Sequence, residues 1–150
     1  MGKLAHDLSR PMAPAQLEAT VMRAQEVIGK MPQVEAPIRH LFADGLYARE
    51  MTICRGMVFV GRLHLQSQVN IISKGDISVL TAQGLIRMRA PFSYVGEAGA
   101  KRVGFAHDDT VWTTILGTRL TDPQEIFETL TVMDFEDYRN LLHKIRGGEQ

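Results

Sequence analysis

Leu17, Val21, Ala24, Ile28 and Met31 recur at spacings of 4, 3, 4 and 3 residues, the signature of one face of an α-helix. This spacing predicts an amphipathic helix over residues 15–31, opened by Pro14 and closed by Gly29 and Pro32. Residues 1–14 show no such period and carry Pro11 and Pro14, so they read as a flexible leader. From Ile38 to Leu116 the pattern changes to short runs of β-branched and aromatic residues separated by glycines at 45, 56, 61, 75, 84, 96, 99 and 104, with Gly117 at the end. The predicted strands are Leu46–Ile53, Met57–His64, Val69–Ser73, Asp76–Thr81, Leu85–Arg89, Phe92–Val95, Lys101–Ala106 and Thr110–Leu116. Ala82-Gln83-Gly84 and Lys74-Gly75-Asp76 read as short hairpin loops, in which glycine supplies a positive φ. No helical period separates the strands, so βαβ units are excluded and residues 38–118 are expected to form an all-β sandwich or barrel.

The helical pattern returns after Thr118. Asp122 precedes Pro123 as an N-cap, and Ile126, Phe127 and Leu130 form an apolar stripe. Asp134 caps a second segment that puts Phe135, Tyr138, Leu141, Leu142 and Ile145 on one face, and Gly147-Gly148 ends it. C-terminal helices are therefore expected within residues 122–147 of a single, mainly β domain.

The most informative stretch runs from Gly61 to Ile72. Strand side chains alternate faces, so His64, Gln66, Gln68 and Asn70 fall on one side while Leu63, Leu65, Val69 and Ile71 fall on the other. That alternation fits a sheet with one wet face. It fits equally a polar lining inside a small barrel, where every amide needs a partner because an unpaired buried one costs about 1–3 kcal/mol.

Composition narrows the classes without choosing a function. A chain of 150 residues, 45% hydrophobic, supports one adequate core. Seventeen basic against seventeen acidic residues give a formal net charge of zero, which argues against a general nucleic-acid-binding surface. The single cysteine, Cys54, cannot close an internal disulfide and suits a reducing compartment. Apolar runs such as Met57–Val60 are far short of the roughly 20 residues that span a bilayer, and the N-terminus lacks the apolar block of a secretory signal. His6 stands where a myristoylation signal starting at Met1-Gly2 needs Ser or Thr. No membrane partner and no secretion by signal peptide are expected.

Gly56, His64 and Gly75 look like the ends and middle of the first motif of the cupin superfamily, and Glu97 to Arg102 looks like its second motif with the glycine kept as Gly99. Residues 40–118 thus resemble a cupin-like jelly-roll β-barrel. The strings Ala43-Asp44-Gly45-Leu46-Tyr47-Ala48-Arg49-Glu50, Ala100-Lys101-Arg102-Val103-Gly104 and Asp108-Asp109-Thr110-Val111-Trp112-Thr113-Thr114 resemble small cupin-like proteins encoded by bacteriophages. Enzymes of the superfamily hold iron, manganese, nickel or zinc with three His and one Glu. Under the resemblance His64 keeps the first His slot, Gln66 replaces the second, Asn70 replaces the Glu and Arg102 the last His. Amides are poor ligands for such ions and a guanidinium repels them, so no metal is expected. The alternative is one Fe, Mn, Ni or Zn ion between His64 and His107.

Other candidates read as structural. Cys54 has no His partner in sequence, Asp108-Asp109 are turn formers, and Arg87 and Arg89 alternate with Ile86 and Met88 as the wet side of a strand that could meet an acidic partner. His6, His40 and His143 read as structural or solvated, and Trp112 as core or dimer interface. Arg102 is expected to meet Glu97 in an internal salt bridge, or alternatively an anion.

The preferred expectation is a non-catalytic, homodimeric or larger assembly protein, found in a phage virion or the host cytoplasm and contacting other phage proteins. A metal-dependent oxygenase or isomerase, and a metal-free binder of a small anion or sugar centred on His64, Gln66, Gln68, Asn70 and Arg102, are the alternatives.

Overall fold

The computed structural model describes residues 8–148. Helix α1 (Pro14–Gly29) carries Pro14 in its first turn and buries Val21 completely. Ten strands follow: β1 (Ile38–Ala43), β2 (Leu46–Ile53), β3 (Val58–Val60), β4 (Leu63–His64), β5 (Gln68–Lys74), β6 (Asp76–Thr81), β7 (Gly84–Arg89), β8 (Phe92–Gly96), β9 (Val103–Ala106) and β10 (Thr110–Gly117). Helix α2 (Pro123–Leu130), the short strand β11 (Thr131–Val132) and helix α3 (Phe135–Gly147) complete the described chain. Both predicted N-caps are made: Asp122 accepts from the Gln124 amide at 3.1 Å and Asp134 from the Asp137 amide at 2.9 Å.

The strands form a five-stranded antiparallel sheet in the order β1-β2-β10-β5-β8 and a four-stranded one in the order β3-β9-β6-β7, with β4 and β11 as a separate pair. Ile53, Ile72, Ile77, Val79, Met88, Ala106 and Trp112 fill the space between the large sheets. The fold is thus mainly β with flanking helices, as the pattern predicts. The barrel itself is not closed: the two sheets keep separate edges, and the jelly roll is a sandwich.

Several elements differ from the sequence reading for physical reasons. The strand expected over Met57–His64 breaks into β3 and β4 at Gly61 and Arg62. Strand β1 carries no strand signal in the sequence, since Ile38-Arg39-His40-Leu41-Phe42-Ala43 does not alternate apolar with polar and every residue of it is exposed; the Asp44-Gly45 loop that joins it to β2 is a strong hairpin signal. Lys74-Gly75-Asp76 is not a hairpin. Gly75, at φ +98°, turns the chain from β5 in one sheet to β6 in the other. In the leader expected over residues 1–14, residues 1–7, including His6, lie outside the described residues. Residues 8–12 are held on the β6–β7 hairpin, where the Leu85 amide donates to the Leu8 carbonyl and the Met12 amide to that of Ala82. Met12 joins Val21, Leu80 and Phe135 in a small second core, and Arg139 of α3 pairs with Glu18 of α1 at 2.8 Å. None of the described helices is long and apolar enough to cross a membrane.

Candidate functional site

Strand register builds a polar row across the inner face of the larger sheet. Arg49 on β2 lies opposite Thr114 on β10, Thr114 opposite Asn70 on β5, and Asn70 opposite Tyr94 on β8. One step along, the same four strands align Met51, Trp112, Ile72 and Phe92. The core is therefore apolar in one layer and polar in the next, because side chains of like parity share a face. At the polar layer the sheets border a half-open cavity of about 80 Å3, lined among others by Arg49, Arg62, His64, Gln68, Asn70, Tyr94 and Arg102.

Asn70 is the fixed point of this row. Its Oδ1 accepts from the Trp112 indole N–H at 2.9 Å and from the Thr114 hydroxyl at 3.0 Å. An indole N–H only donates, so the Asn70 carbonyl must face β10 and its amide nitrogen the other way. Gly96 makes the room: a Cβ there would fall 2.5 Å from Gln68 Oε1 and 2.8 Å from Asn70 Nδ2.

His64 reaches the cavity from β4, a strand only two residues long. Several backbone connections hold it. Thr131 of β11 pairs with His64, the Gly99 amide donates to the His64 carbonyl at 2.8 Å, and the Leu65 amide donates to the Leu130 carbonyl. The segment that supplies Arg102 is secured in turn by Lys101, which is 4% exposed. Its ammonium donates to the carbonyls of Gly61 and Met133, each at 2.7 Å. Burial and the neighbouring Arg62 push the Lys101 pKa down to about 8, against the pull of Asp134.

The electrostatics are one-sided. No ion pair among the described residues involves Arg49, Arg62 or Arg102. Arg62 is occupied elsewhere: it donates to the Thr131 hydroxyl and lies 4.1 Å from the centre of the Phe127 ring. Burial, reinforced by the Arg49 and Arg102 charges, lowers the His64 pKa to about 4, so the imidazole is neutral at pH 7. Burial raises the Tyr94 pKa, keeping the phenol protonated; Arg102 faces it closely enough to oppose that shift but outside hydrogen-bond geometry. His64 Nδ1, Gln68 Oε1 and the Tyr94 hydroxyl are buried without a hydrogen-bond partner among the described residues.

The sequence-derived site is thus partly assembled. His64, Gln68, Asn70 and Arg102 meet at the cavity. Gln66 does not, because residues 65–67 bend between β4 and β5 and break the alternation; its amide donates to the Gly117 carbonyl instead. His107 bonds Ser78 at 2.6 Å and is not among the lining residues. The expected Arg102–Glu97 salt bridge is not made, and Glu97 is exposed. Arg87 and Arg89 meet their acid within the chain, since Arg87 forks onto Asp76 at 2.8 and 2.7 Å and Arg89 approaches it at 3.4 Å. Arg49 and Tyr94 were missed. A charged residue in phase with Tyr47, Met51 and Ile53 is the signal that marks Arg49.

No family model and no curated protein matches the sequence. Solved structures do match the backbone. An ectoine synthase from P. lautus is similar at 12% identity over 70% of this chain and 81% of that one, with a TM-score of 0.54. A cupin-2 domain containing protein from Shewanella frigidimarina gives 12% identity, 63% and 92% coverage and a TM-score of 0.47. A cupin superfamily protein from Desulfitobacterium hafniense gives 9%, 59% and 82%, with 0.49. The fold is cupin-like. At such identities the likeness concerns the cupin fold alone, and the site must be judged from its own residues. The donor set does not fit the metal of cupin enzymes. One imidazole, two amides and a phenol stand among guanidinium groups that repel a cation, and no three His, Cys, Asp or Glu side chains cluster among the described residues.

Proposed function

We propose that this chain is a binding protein for a small anion, held between the two sheets of the cupin-like sandwich. The observation that carries this reading is the pairing of Arg49 and Arg102 around one cavity, with no ion pair to a carboxylate at either among the described residues. A guanidinium binds a carboxylate or phosphate through its planar fork, and more strongly where water is excluded. Neutral His64 adds a polar group without adding charge. The cavity is well below the roughly 300 Å3 at which drug-sized pockets begin, which favours an anion of a few heavy atoms over a sugar. Binding is preferred to catalysis because a base with a conjugate-acid pKa of about 4 abstracts protons poorly at neutral pH.

A titration of melting temperature with acetate, glycolate and inorganic phosphate tests the proposal. Saturation to a hundred times Kd should raise the midpoint by about 5–10 °C. Arg102→Met, which keeps the aliphatic stem, should abolish that rise. A midpoint unmoved by all three anions overturns the reading.

A second reading, self-association, rests on a different observation. Strand β1 is an edge strand whose Ile38, Leu41 and Phe42 are each more than 40% exposed, the kind of edge that pairs with another strand. This is the part of the expected assembly role that a surface feature supports; a place in a phage particle rests on the sequence resemblance alone.

A further inference from the structure

Resting on the anion-binding reading, we infer that the anion is the head group of an amphipathic acid, whose apolar tail lies in the groove on the open side of the sandwich.

The groove runs between β1 and β3, the edge strands of the two sheets. Ile38 and Met51, which lie opposite each other in the β1–β2 register, form its wall on the larger sheet. Val58 and Val60 of β3 form the wall on the smaller one, and the linker from α1 to β1 adds Met31 and Val34. Met31, Val34 and Val58 are 45%, 65% and 38% exposed, so the groove keeps apolar surface in water. A hydrocarbon chain laid along it is removed from water together with its walls, and the gain grows with each methylene.

Charge fixes which end of such a chain carries the acid. Arg49 and Glu35 are the charged side chains of the lining, and Glu35 is exposed on the linker. Arg49, Met51 and Phe59 line the smaller cavity as well, so the two spaces adjoin at the Arg49 guanidinium. Burial pushes the Arg49 pKa down, a penalty that an anion beside the guanidinium offsets. Neither Arg49 nor Arg102 has an ion pair among the described residues. An anion held on Arg49 therefore sits where the cavity and the groove meet. A head group alone leaves the groove walls wet, and an uncharged chain leaves both guanidiniums without a counter-charge. An amphipathic acid answers both, with only its head in the smaller cavity.

The experiment is calorimetry on the intact protein with acetate, butyrate, octanoate and octanamide. Affinity should rise along the three acids, with octanoate about fiftyfold tighter than acetate. Octanamide, which has the tail and no charge, should bind at least about tenfold more weakly than octanoate. Val34→Asp and Val58→Asp, each at an exposed position, should shrink the octanoate-to-acetate ratio about tenfold, because the new carboxylate needs water where the tail lies. Equal affinities for acetate and octanoate in the unsubstituted protein overturn the inference and leave the anion site standing. Octanamide binding as tightly as octanoate overturns the placement of the head on the arginines. A ratio unchanged in both variants overturns the placement of the tail in the groove. Octanoate affinity that falls as protein concentration rises shows a second copy of this chain filling the groove, which also overturns the inference. No binding of any acid overturns both this inference and the reading beneath it. The comparison of probes on the unsubstituted protein keeps the test decisive if a variant fails to fold.

Discussion

A single imidazole sets the acid stability of the cavity. The His64 pKa is about 4 in the fold and 6.5 in an unfolded chain. Between those values the unfolded state binds more protons, so stability is fully present above pH 6.5 and is lost as pH falls toward 4. The loss is expected to be about 3 kcal/mol from this group. His64→Gln should flatten the decline, and chemical denaturation between pH 7 and 4 measures it; an unchanged slope would show that His64 is not buried as described. Asp76 acts lower down, because its hydrogen bond with Arg87 holds its pKa near 2, so its contribution fails only below about pH 4. At this scale the sequence is half legible. His64, Gln68 and Asn70 could be read from alternation along the chain, and Arg102 from the resemblance. Arg49 and Tyr94 could not, because they join the site only through the β2-β10-β5-β8 register.

Elements explain which of those positions survive folding. β2 and β6 coincide with their predicted bounds, since both show the burial of a strand against the core. The stretch around residues 61–68 does not, because its backbone is satisfied by β11 and by Gly99 and Ala100 in place of a long ladder. Lys101 is the cross-brace of this region, tying the β3–β4 connection to the segment before α3. Lys101→Met fills the space but leaves the Gly61 and Met133 carbonyls without their donor. It should cost about 2–4 kcal/mol, read from the denaturation midpoint. The anion affinity should fall with it, since Arg102 is the next residue. A loss under 1 kcal/mol would contradict the bracing role.

At the scale of the whole molecule, an open sandwich has edges that a closed barrel lacks. The exposed apolar side chains of β1 make a second copy of this chain the expected occupant of that edge. Sedimentation at micromolar concentration should show a dimer or larger species, and Leu41→Lys should shift it to monomer with little change in melting temperature. A monomer in the unsubstituted protein would rule out this use of β1. One further consequence follows from the layer in which the polar row meets the apolar core. Trp112, the single tryptophan of the sequence, forms part of the cavity wall and gives its N–H to Asn70. Its fluorescence therefore reports on the one place where a guest is expected to sit, and arrival can be followed by emission colour and intensity, without a dye or label.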